Sequence, residues 1–219
     1  DLRGQPAVGF AGMILWGARM AGPALPPGQY TARLTVDGLT STSGRFAIVR
    51  PAWLPGISDA DLRAEYAFGV QVRDQVAAAN RAVIAIRNVK AQLADRTTKS
   101  GDVALAQAAG TVKTKASGIE EQVYQVRNQS NLDPLNFPIK VNNRLATLLS
   151  MAERGDGRPI AGMQEIYGTL RTELRGYTDA LEQVWKNDLP KVNAELARLK
   201  LPPVDPGCAK PEGCVASTP

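Results

Sequence analysis

The residues with the clearest chemical potential are the carboxylates of the helical stretches: the neighbours Glu120 and Glu121, then Glu165, Glu173 and Glu182. A glycosidase needs two carboxyl groups converging on one bond. Adjacent residues on a helix point roughly 100° apart, so Glu120 and Glu121 do not converge. The other three lie on polar flanks, where a solvated charge is the simpler reading. The sequence has no histidine, which removes the Ser-His and Cys-His nucleophile systems and the commonest metal ligand. No phosphate-cradling loop is present, because the Gly9 to Gly12 stretch is too short and wrongly placed. No catalytic residue, cofactor or metal is therefore expected.

Two other groups of residues stand out. Asp133, Pro134, Asn136, Phe137 and Pro138 form an irregular, proline-broken segment, and Asn142, Asn143 and Arg144 follow at a helix start. Buried Asn and Arg at such a place could recognise a ligand, or could hydrogen-bond the turn and lock two helices together. The second reading is favoured, since irregular backbone beside helix ends needs polar partners. Cys208 and Cys214 are separated by five residues, Pro211 and Gly213 among them. They could close a small disulfide loop in an oxidising compartment, or could be two unrelated thiols.

The elements that carry these residues are mostly helical. A 3.5-residue repeat of apolar or small residues occurs three times. The first series is Val72, Val76, Ala79, Val83, Ile86, Lys90, Leu93, with one lysine in the seam. The second is Leu105, Ala109, Val112, Ala116, Ile119, Val123, Val126, and the third is Met163, Tyr167, Leu170, Leu174, Tyr177, Leu181, Val184. Such a repeat keeps one narrow stripe facing a partner helix, so the helices pack lengthwise. The spacing predicts helices from Ser58 or Asp59 to about Asp95, from Asp102 to Asn128, from Pro138 to Glu153, and from Pro159 to Asn187. Pro190 kinks the last or opens a new segment ending near Leu199. Tyr66, Tyr124, Tyr167, Tyr177 and Trp185 sit on or near the seams and read as core.

Before the helices the pattern is that of β-structure. Met13 to Trp16 is an apolar run consistent with a buried strand. Tyr30, Ala32, Leu34 and Val36 alternate with polar residues, Asp37-Gly38 is a hairpin turn signal, and a return strand carries Phe46 and Ile48. Trp16 and Trp53 are expected to pack this β part on the bundle. The resulting division is 1–50 as the end of an immunoglobulin-like β module, 51–58 as linker, 59–201 as α-helical bundle and 202–219 as a disordered tail. The fold class is α+β, mainly α: partial immunoglobulin-like sandwich strands followed by an antiparallel bundle of long, coiled-coil-like helices.

Charge adds little. The net charge of +5 comes from basic residues spread through the chain. Without a clustered basic stripe or aromatic platforms, nucleic-acid binding is not expected. No apolar run is long enough to span a membrane.

The segment from Gln125 to Leu148 (QVRNQSNLDPLNFPIKVNNRLATL) resembles the C-terminal region of large bacterial exported proteins. Those proteins carry sortilin-like, Asp-box-repeat β-propellers and are often labelled glycosyl hydrolases. The stretches Gly12 to Gly17 (GMILWG) and Pro27 to Gly38 (PGQYTARLTVDG) resemble the same proteins just after the propeller. The resemblance implies an exported, periplasmic or extracellular, envelope-associated protein whose upstream propeller is this chain's first partner. Any sugar chemistry would belong to that propeller. The expected role is a non-catalytic accessory or interaction segment, with homo-oligomerisation through the helices as a further way of using the seams. The alternatives are a bundle whose carboxylates complete a hydrolase site in the propeller mouth, or a free-standing envelope binder.

Overall fold

The computed structural model describes residues 2–18, 20–37, 39–53, 55–155 and 157–207, with only the backbone of 41–43. The chain is mainly α-helical, with one small antiparallel sheet. Its elements are β1 (Gly28–Val36), β2 (Leu39–Ile48), α1 (Asp59–Ser100), α2 (Val103–Val123), α3 (Val141–Ala152), α4 (Ala161–Asn187) and α5 (Leu189–Arg198).

Local sequence sets most of the helix ends. Ser58 caps α1: its Oγ accepts the Asp61 N–H at 3.2 Å, and the Asp61 carboxylate accepts the Ser58 N–H at 3.1 Å. This reciprocal box satisfies two of the orphan donors of the first turn. The helix runs past the expected stop at Asp95 and ends at Gly101, whose φ of 61° is the left-handed conformation that glycine adopts without strain. Asp102 then caps α2 by accepting the Leu105 N–H at 2.9 Å. α2 stops at Val123, five residues before the expected Asn128, because Tyr124 turns extended. Val126, the last residue of the second series, is therefore outside the helix. α3 opens at Val141, with Lys140 rather than Asn136 or Phe137 at its cap position, so Pro138 precedes the helix instead of starting it. Pro190 sits in the first turn of α5, where a missing N–H costs nothing.

Side-chain pairs fix the helix directions. Glu120 on α2 meets Arg87 and Lys90 on α1, so α2 returns antiparallel as the short Gly101 turn requires. Asn142 at the start of α3 meets Asn80, and Leu149 near its end lies against Gly69, so α3 also runs antiparallel to α1. Phe68 packs on Tyr167 with ring centroids 5.6 Å apart, while Ile86 shares a cluster with Leu181, so α4 runs parallel to α1. Lys115–Asp188 and Arg198–Asp102 lay α5 back along α2. Thus α2 and α3 succeed one another against α1, and α4 with α5 runs alongside: a cross-section through either half cuts three helices. The seams lie inside. Val72, Val76, Ala79, Val83 and Ile86 are fully buried, as are Leu105, Val112 and Ala116.

The first 25 residues differ from the sequence expectation. Met13 to Trp16 is not a strand but part of an irregular strap laid over α1, α2 and α3. Its ends close on each other. The Gly4 N–H donates to Pro23 O at 2.8 Å, and the Leu25 N–H to Leu2 O at 2.9 Å. This approach needs a glycine at 22, where a Cβ would stand 2.0 Å from the Gly4 carbonyl oxygen. At the other end, 202–207 is not loose tail. Val204 is buried, and the segment lies along α1 and α5. Cys208 and Cys214 fall outside the described residues.

Candidate functional site

The polar residues singled out in the sequence turn out to hold irregular backbone in place. Asn143 is buried, its Oδ1 accepting the Trp16 N–H at 2.6 Å and its Nδ2 donating to Trp16 O at 3.0 Å. One amide thereby satisfies both main-chain groups of one residue, as a neighbouring strand would. The device recurs at the C-terminal strap. Asn193 pairs with Val204 (Val204 N–H to Oδ1 2.8 Å, Nδ2 to O 3.1 Å), and Gln92 pairs with Asp205 (Nε2 to O 2.7 Å, N–H to Oε1 3.2 Å). Asn142 donates to Asn80 Oδ1 at 3.2 Å, and Asn80 donates to Val8 O at 2.8 Å. The Tyr124 hydroxyl accepts the Ile14 N–H at 3.0 Å. Arg144 points outward to Glu173 at 2.8 Å. Asn142 thus joins α3 to α1, while Asn143 holds the N-terminal strap on α3. Asn193, Gln92 and Asn80 had no local signature.

The proline-broken segment closes on itself. The Asp133 carboxylate accepts the Gln129 and Ser130 N–H groups, and these backbone bonds hold it below the usual carboxylate range. Pro134 lies in a single 3₁₀ turn, and Asn136 and Phe137 donate their N–H groups to Asp133 O at 2.8 and 3.0 Å. The Arg127 guanidinium stands 5.5 Å from the Phe137 ring, and Gln125 donates to Pro138 O at 2.9 Å.

Of the carboxylates singled out, Glu173 pairs with Arg144 and Glu120 with two cations of α1. Glu120 is buried and holds Arg87 Nε at 2.7 Å and Lys90 Nζ at 2.9 Å. This explains the lysine in the first seam. Arg87 also lies over the Phe10 and Tyr124 rings, at 4.8 and 5.3 Å. Asp188 is held below its ordinary range by hydrogen bonding from Lys115, and Asp102 by hydrogen bonding from Arg198. No group of three or more potential metal ligands occurs among the described residues, and none of their helices is long and apolar enough to cross a membrane.

What remains open on the surface is the hairpin. Its register pairs Tyr30 with Phe46, Gly28 with Ile48 and Val36 with Leu39, with an irregularity between Thr31 and Arg33. Paired residues share a face, so Tyr30, Leu34, Val36, Leu39, Phe46 and Ile48 lie on one side, while Thr31, Arg33, Thr35, Thr40 and Arg45 lie on the other. The apolar side is uncovered: Leu34 is 60% exposed, Val36 56% and Leu39 80%. Tyr30 and Phe46 stack at 5.8 Å at its base. Among the described residues neither strand packs on a helix, and Trp53, expected to join the β part to the bundle, is 71% exposed. An amphipathic two-stranded sheet with both edges unpaired is marginal alone, and unpaired edges can template a further strand. Comparison with protein-family models, curated proteins and solved structures finds no match for this chain.

Proposed function

We propose that this chain is a non-catalytic docking and spacing segment of an exported protein, standing C-terminal to a β-propeller. The observation that carries the reading is the uncovered apolar face of the β1–β2 hairpin. In this reading the hairpin supplies the last strands of an immunoglobulin-like sandwich, and its Leu34, Val36 and Leu39 pack on strands supplied from upstream. The bundle is then a rigid spacer with coiled-coil-like seams. Most of the seam residues are already buried within one chain, so association of two copies would use another face. The carboxylates support a structural role too, since Glu120, Asp188 and Asp102 are each engaged by cations of neighbouring helices.

The in-frame coding sequence directly upstream of Asp1 tests this. Strand-forming segments preceded by Asp-box propeller repeats are expected. A start codon and export signal directly before Asp1 would overturn the reading and favour a free-standing envelope binder. A protein variant gives a second arm. Leu34→Ser with Leu39→Ser should leave the unfolding of the 219-residue chain unchanged within about 0.5 kcal/mol, as for exposed positions generally. The same pair should destabilise the protein that includes the upstream sandwich strands. No effect there would contradict the docking role.

A further inference from the structure

The two edges of the hairpin are not alike. β1 is regular from Gly28 to Val36, whereas β2 is interrupted. Thr31 to Arg33 spans two residues along β1, but the facing stretch from Arg45 to Thr42 spans three along β2. The extra residue of the bulge therefore lies in β2, in the stretch that holds Gly44. A bulge bends its strand and turns an edge away from further pairing. β1 carries no such defect.

The foot of β1 points the same way. The Tyr30 hydroxyl donates to Pro26 O at 2.7 Å, four residues back along the chain. A tyrosine that reaches back in this manner at the start of a strand marks the penultimate strand of an immunoglobulin-like sandwich. In that topology the penultimate strand lies between the last strand and an earlier one. With β2 as the last strand, the outer edge of β1 is the open place. The polypeptide also enters there. Arg3 bridges Ala24 in antiparallel fashion, and the Leu25 N–H donates to Leu2 O at 2.9 Å, three residues before β1 begins. Residues that precede Asp1 are thus delivered beside the foot of β1.

We infer, building on the sandwich reading of the hairpin, that the outer edge of β1 and not that of β2 receives an antiparallel strand from the polypeptide upstream of Asp1. Paired residues share a face, so the incoming strand alternates. Its apolar residues lie level with Leu34 and Val36, and its polar ones with Arg33 and Thr35.

Thr35 and Thr40 mark the two edges. In a two-residue hairpin the pair flanking the turn, here Val36 and Leu39, is the hydrogen-bonded one. The next pair, Thr35 and Thr40, therefore turns both its N–H groups outward, one on each edge. Their hydroxyl oxygens stand 3.2 Å apart, in keeping with the closer side chains of a non-hydrogen-bonded pair. Proline at 35 removes an outer donor from β1, and proline at 40 removes one from β2, while the bonds between the strands remain.

The test compares the 219-residue chain with the protein extended upstream through the proposed strands, by amide hydrogen exchange read by NMR. In the extended protein the Arg33 and Thr35 amides should exchange about 100-fold more slowly or slower still, and the Thr40 amide about as fast as before. Thr35→Pro should return the Arg33 amide to fast exchange by about tenfold or more, whereas Thr40→Pro should leave it within about threefold. Slow exchange at Thr40 with Arg33 and Thr35 still fast would overturn the edge assignment. So would protection of Leu34 and Val36 alone, which would mean a covered face beside an open edge. Both of these results would leave the docking of the hairpin standing. Unchanged exchange along both strands, or an upstream sequence without strand-forming segments, would overturn the edge assignment and the docking role together.

Discussion

Truncating Asn143 to alanine should release the N-terminal strap while leaving the bundle folded. The side chain is 3% exposed and makes two hydrogen bonds to the main chain of Trp16, at 2.6 and 3.0 Å. A third, to Thr147 Oγ1 at 3.2 Å, is replaceable by the helix backbone. Two net bonds are worth about 2 kcal/mol, at roughly 1 kcal/mol each. Both bonds are only part-buried, so no full burial penalty is added for the freed Trp16 groups. Alanine in the first turn of α3 returns a few tenths of a kcal/mol in helix propensity, about 0.5 at most. The net local cost is therefore about 1.5–2 kcal/mol. Amide hydrogen exchange followed by NMR is the assay. The Trp16 and Ile14 amides should exchange about 10- to 30-fold faster, since each 1.4 kcal/mol is tenfold in the opening equilibrium. Amides in the middle of α1, around Val83, should not change. If Trp16 exchange stays within about twofold of the parent, the amide clamp contributes less than ~0.5 kcal/mol and the account of the strap fails.

Other substitutions probe the core charges and the close backbone contacts. Glu120→Ala removes the buried acid but leaves Arg87 and Lys90 with side chains 38% and 29% exposed. The loss in urea unfolding should therefore be about 2 kcal/mol, below the 3–5 typical when a charge is stranded in the interior. Glu120→Met, which refills the space, should come within about 1 kcal/mol of the parent; a larger loss would show that the ion pairs themselves supply stability. Gly22→Ala places a Cβ 2.0 Å from the Gly4 carbonyl oxygen, so strap closure should weaken by about 1–3 kcal/mol, seen as faster proteolysis near residue 20. The pH dependence follows from composition and capping. With no histidine, stability should be flat from about pH 5 to 8. Asp61 is lowered from 3.8 to about 2 by the Ser58 hydroxyl, the Ser58 backbone and Arg158, and Asp102, Asp133 and Asp188 are lowered too. A folded-state value below the unfolded one means their contribution is complete above pH 3.8 and is lost as pH falls toward about 2. A thermal transition that drops already at pH 5 would contradict this assignment.

The long helices were legible because their periodicity is a local property that burial then obeys. Val72 through Leu93 and Met163 through Val184 line the interior much as the 3.5 repeat places them. The lysine in the first seam was visible as an exception, but its partner Glu120 is set by tertiary packing and not by counting back from the Gly101 turn. The strap was not legible. A four-residue apolar run such as Met13 to Trp16 reads alike as strand or as packed irregular chain, and what decides it is an amide 127 residues away. The same holds for Val204, whose partner Asn193 has no feature beyond lying on a half-buried helix face. Asn142 and Asn143 were visible as unusual polar residues at a helix start, yet their partners, the Asn80 side chain and the Trp16 main chain, are products of tertiary packing. The hairpin was legible in both strands and in its turn, where Asp37 has the expected positive φ of 50°. Its uncovered face follows from the same alternation once no helix is found against it.

Hydrogen exchange of the hairpin tests the docking claim most directly. The amides of β1 and β2 would be measured in the 219-residue chain and in a protein that also carries the proposed upstream strands. The account predicts weak protection in the 219-residue chain, because a lone two-stranded sheet is marginal. With those strands present, covering the face of Leu34, Val36 and Leu39 should raise protection by about 100-fold or more, the scale of sub-global rather than local opening. Equal protection in both would show that nothing covers the hairpin and would contradict the docking role.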